Sequence, residues 1–258
     1  MFSIVIPAFN ERETIEPTLR DLALALESAE IPFEIVVVDD HSNDGTSTIV
    51  ANVAERYPQI RCIPNLRKRG FGNAIQTGLD AFVGEAVCIV MADASDSPTD
   101  VVQYWRTLQL GYDCVFGSRF IHGAKIVDYP WFKLLLNRFA NVFIAVVVGI
   151  NYNDVTNAFK CFRREVIEGV SPILSQHFNI TVELPLKAIV RGFTWTVIAT
   201  DWTNRKSGVS KFKIKEMGSR YLFIVFYALL EKWLSRGDYR TTTVRRSAPE
   251  ATREVASG

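Results

Sequence analysis

Short apolar runs alternate with helix-period segments through the first half of the chain. The apolar runs are Phe2–Ile6, Phe33–Val38, Ile60–Ile63, Ala86–Met91 and Cys114–Phe116. Between the first two, Ile15, Leu19, Leu22 and Leu26 recur at spacings of four and three, which marks one face of a helix. Further helices are predicted over Asp44–Tyr57, Gly72–Phe82 and Pro98–Leu110. This alternation predicts an α/β fold with a mostly parallel sheet and helices on both of its faces.

The second half is less regular. The pattern predicts helices over Trp131–Val148, Thr181–Val190 and Tyr221–Leu234, and a strand over Trp195–Ala199. From residue 236 onward few positions are apolar, so we predict a disordered tail over 236–258.

Two of these helices are apolar enough to meet a membrane. A span needs about 18 consecutive apolar residues, whereas Asn141 interrupts the first helix and Glu231 ends the apolar run of the last. We therefore expect neither to cross a bilayer and both to be able to lie on one. Burial against the core or in a dimer is the alternative.

Composition narrows the class of protein. With 258 residues, 48% of them hydrophobic, the chain can build one sizeable core. A net charge of +1 argues against nucleic-acid binding and a polybasic membrane anchor. The four cysteines match no zinc or redox spacing, and the three histidines form no metal-ligand pattern. Because the first strand begins at Phe2, we expect no signal peptide and a reducing, cytoplasmic setting.

Polar clusters follow the predicted strands at the sheet edge where open α/β folds bind ligands. These clusters are Asn10–Glu11, Asp39–Thr46, Asp93–Asp96 and Gly117–Arg119. Neighbouring strands lie about 4.8 Å apart, so the clusters could meet in one crevice. Asn10 could instead cap a helix in a capping box with Glu13, and Asp44 could be a cap or turn residue. The adjacent acids Asp39 and Asp40 should repel each other unless something binds them.

Asp93 and Asp96 carry the strongest chemical argument. Two carboxylates three residues apart, directly after a buried strand, suit a Mg²⁺ or Mn²⁺ ion that neutralises a nucleotide diphosphate. The alternative is that Asp96 or Ser97 caps the helix that begins near Pro98.

Two further segments could bind anions. The glycines of Asn65–Ala74 would let the backbone approach a phosphate, although an ordinary loop fits the same residues. The stretch 205–211 (RKSGVSK) could bind anions or form a solvated charged face.

Together these motifs resemble the inverting family 2 glycosyltransferases of the GT-A fold, and most closely their dolichol-phosphate mannose synthase-like branch. The resemblance covers residues 2 to 235 and rests on the segments IVIPAFNE (4–11), VDDHSNDGT (38–46), GSRF (117–120), DVTNAFK (154–160) and RKSGVSK (205–211). Aligned on Pro98, the acids of the branch's Asp-Ala-Asp signature are displaced here, and Lys160 stands where arginine is commoner. The resemblance implies a single GT-A domain over 1–235, with a nucleotide-sugar half (1–120) and an acceptor half (121–235) whose helices meet the membrane interface.

The resemblance also implies roles for individual residues. The nucleotide-sugar would contact Pro7, Ala8, Asn10, Glu11, Asp39, Asp40, Lys68, Gly72 and Asp93. The acceptor phosphate would contact Ser118, Arg119, Lys160, Glu183, Arg205, Ser210 and Lys211. Asp93 and Asp96 would hold Mg²⁺ or Mn²⁺, and the catalytic set would be Asp93, Asp96, Arg119, Arg205 and Lys211.

The implied reaction moves a sugar from GDP-mannose or a UDP-sugar to a polyprenyl or dolichyl monophosphate. A phosphate monoester is already anionic near neutral pH, because its second pKa is about 6, so no strong base is needed. The enzyme would be peripheral on the cytoplasmic face of a membrane, as a possible homo-oligomer or with a membrane-anchoring partner. Alternatives are transfer to a soluble or polysaccharide hydroxyl, with Glu183 as a possible base, and a noncatalytic nucleotide-sugar-binding subunit.

Overall fold

The computed structural model describes residues 1–203 and 214–241, and their side chains except those of 214–217. The strands are β1 Phe2–Ala8, β2 Phe33–Asp39, β3 Ile60–Pro64, β4 Ala86–Ile89, β5 Cys114–Ser118, β6 Ile126–Val127, β7 Lys160–Arg163, β8 Trp195–Ala199 and β9 Trp202–Thr203. The helices are α1 Ile15–Ser28, α2 Thr46–Ala54, α3 Phe71–Ala81, α4 Pro98–Gln109, α5 Trp131–Val148, α6 Arg164–Gly169, α7 Ile180–Val190 and α8 Ile214–Leu234.

Seven strands form the central sheet in the order β3-β2-β1-β4-β7-β5-β8, and β6 pairs with β9 in a separate small sheet. The strands β1 to β4 run parallel, as do β5 and β8, whereas β7 is antiparallel to both of its neighbours. The predicted mostly parallel α/β fold is confirmed. Strand β7 was missed, because its two apolar residues stand between Lys160 and Arg163 and give no apolar run.

Two hydrophobic cores lie on opposite faces of the sheet. Helices α1, α2 and α4 pack on one face, and α3, α5, α7 and α8 contribute to the core on the other. Strands buried on both faces need apolar residues at successive positions, and β1 and β2 have them. Because β1, β2 and β4 run parallel, their carboxyl ends lie at the same edge of the sheet.

Helix α5 is one of the two helices expected to lie on a membrane. Among the described helices it is the one that is long and apolar enough to cross a membrane by length and composition alone, and 17% of it is buried. Asn141 does not interrupt its outer surface, because that side chain is fully buried against Thr156. Lys232 of α8 donates to the carbonyl of Val148 at 2.6 Å, which joins the end of α5 to α8.

The chain after α8 turns back on the domain. Residues 235–240 form a turn, and the Thr241 amide donates to the carbonyl of Arg191 at 2.9 Å. Residues 242–258, which hold most of the predicted disordered tail, lie outside the described residues.

Candidate active site

The loops after β1 and β2 are joined by Asn10. Its backbone is in the left-handed region at φ 54°, its side chain accepts from the Asn43 amide at 2.9 Å, and its amide donates to Ser42 Oγ at 3.0 Å. The predicted capping box is wrong, because the N-cap of α1 is Thr14, with no side-chain cap hydrogen bond. The Glu11 amide donates to Thr46 Oγ1 at 3.0 Å, which adds a second link between these loops.

Asp44 acts as a turn residue, one of the two roles expected for it. It accepts from the amide and the hydroxyl of Thr46 at 3.0 and 2.6 Å. At the end of β1, Pro7 and Ala8 are buried and lie in register with Val38 and Asp39.

Asp39 and Asp40 accept hydrogen bonds from different donors. Asp39 accepts from the Ser42 amide at 3.1 Å and is half-buried at the sheet edge. Asp40 is only 6% exposed and accepts from Asn65 Nδ2 at 2.7 Å and from the Gly70 amide at 3.0 Å. The protein thus supplies Asp40 with fixed internal donors.

Gly72 does not open space for a phosphate, whereas a cavity of about 250 Å³ beside it is lined by Arg67, Lys68 and Asn73. A Cβ at Gly72 would collide with the backbone of Ser175 and its neighbours, so this glycine allows close approach of the chain to itself. Lys68 has an exposed side chain, and its carbonyl accepts from Asn73 Nδ2 at 2.8 Å.

The carboxylates of Asp93 and Asp96 lie in the loop after β4. Asp93 accepts from the Ser95 amide at 3.2 Å, and Asp96 accepts from the Met91 amide at 2.9 Å. Helix α4 begins after Ser97 with no side-chain cap hydrogen bond, so neither Asp96 nor Ser97 plays the capping role that was the alternative to metal binding.

Asp96 is an acid in an unfavourable setting for its charge. Burial raises its pKa to about 7, and the charge of Asp93 adds to this, while the Met91 amide and the charge of Arg119 oppose it. Among the described residues, none forms an ion pair with Asp96. A divalent cation would relieve this cost, and carboxylate oxygens are the ligands that Mg²⁺ and Mn²⁺ prefer.

The described residues contain no set of three or more His, Cys, Asp or Glu side chains that could hold a metal ion. A cation at Asp93 and Asp96 would therefore take other ligands from phosphate oxygens and water, as Mg²⁺ usually does. The residues fit a metal that arrives with a diphosphate.

Arg119 is held by a buried carboxylate. Its Nε and Nη2 donate to the two oxygens of Asp154 at 2.9 and 2.8 Å, and its amide donates to the same group at 3.0 Å. Asp154 raises the pKa of Arg119 against the effect of burial. Ser118, which we expected at the acceptor phosphate, is fully buried and donates to Asn153 Oδ1 at 2.6 Å. In the structure this hydroxyl holds the turn, and its contact with the acceptor phosphate stays a prediction.

Lys160 and Glu183, also expected at the acceptor phosphate, are buried and bind groups of the protein itself. Lys160 lies on β7 in the middle of the sheet, is 1% exposed, and donates to the Val155 carbonyl at 3.0 Å. Burial lowers the pKa of Lys160 to about 7, although Asp154 opposes this. Glu183 is fully buried and accepts from two amides of its own chain.

Arg138 is a site residue that the sequence did not reveal. Its guanidinium lies 4.5 Å from the ring centroid of Phe120, and that of Arg119 lies 5.4 Å from the same centroid. The Nη1 atom of Arg138 is buried and, among the described residues, has no hydrogen-bond partner. The signal available in the sequence was a cation between Asn137 and Asn141 in a mostly apolar helix. The predicted phosphate contacts Arg205, Ser210 and Lys211 lie outside the described residues.

Comparison with known proteins identifies the family. The family model described as glycosyl transferase family 2 matches residues 3–170. The chain belongs to glycosyl transferase family 2. The resemblance found from the motifs and the expected enzyme class are both confirmed.

Two curated relatives of this family 2 chain are named as lipid-phosphate sugar transferases. The polyprenol monophosphomannose synthase of Mycolicibacterium smegmatis is 30% identical over 233 residues, which cover 84% of this chain and 86% of the relative. The dolichol-phosphate mannosyltransferase of Pyrococcus furiosus is 29% identical over 219 residues, which cover 83% of this chain but 59% of the relative. This chain thus matches only part of the archaeal protein.

Solved structures share the fold at lower identity. Glucosyl-3-phosphoglycerate synthase from Mycobacterium tuberculosis, in complex with UDP, has a TM-score of 0.66 and 18% identity, over 90% of this chain and 79% of that one. The same enzyme has been crystallised with Mn²⁺, UDP and glucosyl-3-phosphoglycerate, and with Mg²⁺ and UDP. At this identity the likeness supports the fold of the family 2 chain.

Proposed function

We propose that this glycosyltransferase moves a sugar from a nucleotide diphosphate sugar, either GDP-mannose or a UDP-sugar, to a polyprenyl or dolichyl monophosphate. The observation that carries the proposal is the acid Asp96, whose pKa burial raises to about 7, close to the oriented guanidinium of Arg119. This arrangement suits a cation with phosphates around it. The names of the two curated relatives support the same acceptor class.

The donor would lie along the edge formed by residues 1–120. Asp39, half-buried at the end of β2, would contact the nucleoside, while Asp40 would support the loop behind it. Asp93 and Asp96 would hold Mg²⁺ or Mn²⁺. When bound, the metal neutralises the diphosphate and so makes it a better leaving group.

The acceptor phosphate would lie against residues 121–235. Arg119 and Arg138 share the ring of Phe120, and buried Nη1 of Arg138 is available to an anion. A phosphate that bound both guanidinium groups would be stabilised by their charge, and they would align its oxygen with the sugar carbon. A single displacement inverts the anomeric centre. Since the phosphate is already ionised, the chain does not need a base, and the buried Glu183 is not placed to act as one for a hydroxyl acceptor.

The lipid would enter beside α5 and α8. Both helices expose large apolar side chains; those above half exposure are Trp131, Phe132, Leu135, Phe139, Val142, Val146, Phe223, Phe226, Leu230, Trp233 and Leu234. Such a surface fits the interface of a bilayer. We place the protein on the cytoplasmic face of a membrane, alone, as a homo-oligomer or with a membrane-anchoring partner.

The test is a donor panel. Purified protein is incubated with polyprenyl phosphate, Mn²⁺ or Mg²⁺, and labelled GDP-mannose, UDP-glucose, UDP-galactose or UDP-N-acetylglucosamine. We expect a labelled glycolipid with one donor. Transfer to a sugar hydroxyl without any glycolipid would contradict the proposal, and nucleotide-sugar binding without any transfer would favour a noncatalytic subunit.

A further inference from the structure

A buried ion pair on α7 organises the segment between α6 and α7. Lys187 Nζ lies 2.6 Å from Glu183 Oε1, and both side chains are at most 1% exposed. The two oxygens of Glu183 accept from the Leu174 and Ser175 amides at 2.8 and 2.7 Å, and Lys187 also donates to the Pro172 carbonyl. We call residues 172–178 the brace segment.

The opposite side of the brace segment contacts the start of α3. The Ser175 carbonyl accepts from Gln76 Nε2 at 2.8 Å, and the Gln176 carbonyl accepts from the Asn73 amide at 3.2 Å. The ring of Phe178 stacks on that of Phe71 at 4.1 Å.

The glycines at the start of α3 are explained by this contact. A Cβ at Gly70 would meet the Gln176 carbonyl, and one at Gly72 would meet the Ser175 carbonyl. No side chain fits between α3 and the brace segment at either position. The first turn of α3 is therefore placed by the brace segment.

The start of α3 is linked through Gly70 to the sheet edge at Asp39 and Asp40, where we propose that the nucleotide binds. The Gly70 amide donates to Asp40, which also accepts from Asn65 and lies beside Asp39 at the end of β2. A displacement of the brace segment would move the Gly70 amide away from Asp40.

We propose that Glu183 is a positioning residue of the donor site: with Lys187 it holds the brace segment against α3 and so keeps Gly70 on Asp40. This role rests on the proposed function, because it presumes that the edge beside Asp39 and Asp40 binds the nucleotide. It differs from the acceptor role expected from the sequence, since Glu183 would act through the brace segment and not by touching the acceptor.

The test compares two buried ion pairs on the same helix. Glu183→Gln keeps the size of the side chain but supplies one acceptor oxygen where two amides need one each. Glu231→Gln is the control. It removes the charge that pairs with Arg191 at 2.7 and 2.9 Å, and this pair joins the end of α7 to α8. The variant keeps the donation of Arg191 Nη1 to the Gly169 and Ser171 carbonyls, which lie just before the brace segment.

Calorimetric titration with UDP and with GDP in the presence of Mn²⁺ measures donor-site affinity. Glu183→Gln is expected to weaken nucleotide binding about tenfold, the effect of one lost buried hydrogen bond. We expect the KM for the donor to rise and kcat to stay within about threefold. Hydrogen exchange should speed up in residues 70–74 in this variant only, while Glu231→Gln should lower Tm without either change.

A second variant approaches from α3, in case Glu183→Gln does not fold. Gln76→Leu removes the hydrogen bond to Ser175 and should shift nucleotide affinity in the same direction by about threefold. Nucleotide affinity and exchange at 70–74 that match the wild type in every folded variant would overturn the proposal. So would a loss of kcat with unchanged donor affinity. If the wild type itself binds no nucleotide, the proposed function fails first, and the inference falls with it.

Discussion

Asp40 and Asp96 both follow buried strands of the same sheet, yet the protein surrounds their carboxylates differently. Asp40 accepts from a side-chain amide and a backbone amide that the fold holds in place. Asp96 accepts from the Met91 amide, and burial raises its pKa to about 7. The first acid is complete within the folded chain, whereas the second has no cationic partner among the described residues, and we propose that a metal ion supplies one.

This difference separates structural acids from ligand-binding acids where sequence cannot. Removing Asp40 should harm the protein whether or not substrate is present. Removing Asp96 should harm activity and leave the protein without substrate intact. The predictions below test this contrast, from the largest expected effect to the smallest.

Asp96→Asn should lower the transfer rate by about 1000-fold, since a metal ligand contributes several kcal/mol of charge stabilisation. The side-chain oxygen of the new asparagine can still accept from the Met91 amide, and the variant no longer buries a charge. The melting temperature of the metal-free variant at pH 7.5 should therefore equal or exceed that of the wild type. A radiolabelled transfer assay measures the rate, and calorimetry measures the melting temperature. A variant that unfolds, or one that keeps wild-type activity, would show that Asp96 is a structural acid like Asp40.

Arg119→Lys should lower transfer by about 100-fold, because an ammonium cannot reproduce the two-point contact that holds this cation in place. Asp154→Asn is the companion variant. Breaking the pair from the buried carboxylate side should destabilise the protein by about 3–5 kcal/mol, measured by urea unfolding. Equal losses of stability in both variants, with normal activity in the folded fraction, would remove Arg119 from the site.

Asp40→Asn should destabilise the protein by about 1–3 kcal/mol, because the Gly70 amide or Asn65 loses a buried acceptor. The affinity of Asp40→Asn for Mn²⁺ in the presence of nucleotide should fall far less than that of Asp96→Asn. Urea unfolding and calorimetric titration measure these effects. Unchanged stability would show that the acid is not held as we describe.

The stability of the metal-free protein should fall as pH rises from about 4 to 7. Burial raises the pKa of Asp96 to about 7 in the folded state, well above the usual range of an aspartate, so the folded protein binds a proton that the unfolded chain has lost. Asp100, whose pKa burial raises to about 6, titrates in the same range, so the Asp96→Asn variant is needed to isolate Asp96. The variant should show a smaller pH slope of Tm, and Mn²⁺ with nucleotide should reduce the slope of the wild type. Equal slopes would argue against a buried acid at this position.

The sheet and its edge were accessible from the sequence because apolar runs and helix periods are local patterns. The strands β1 to β4 and the acids that follow them were predicted on this basis. The burial of Lys160 was not predicted, because β7 enters the middle of the sheet from a distant part of the chain, and burial of a lysine there depends on the Val155 carbonyl. The burial of Glu183 and the close packing at Gly72 were not predicted for a similar reason. Both are explained by the brace segment, which no local pattern places beside α3.

The most direct test of the account measures Mn²⁺ binding by electron paramagnetic resonance at pH 7.5, in the presence of UDP or GDP. The wild type is compared with Asp96→Asn and Asp40→Asn. We predict that the wild type and Asp40→Asn bind one Mn²⁺ with the nucleotide and that Asp96→Asn, although folded, does not. Wild-type Mn²⁺ binding by Asp96→Asn would contradict the central claim.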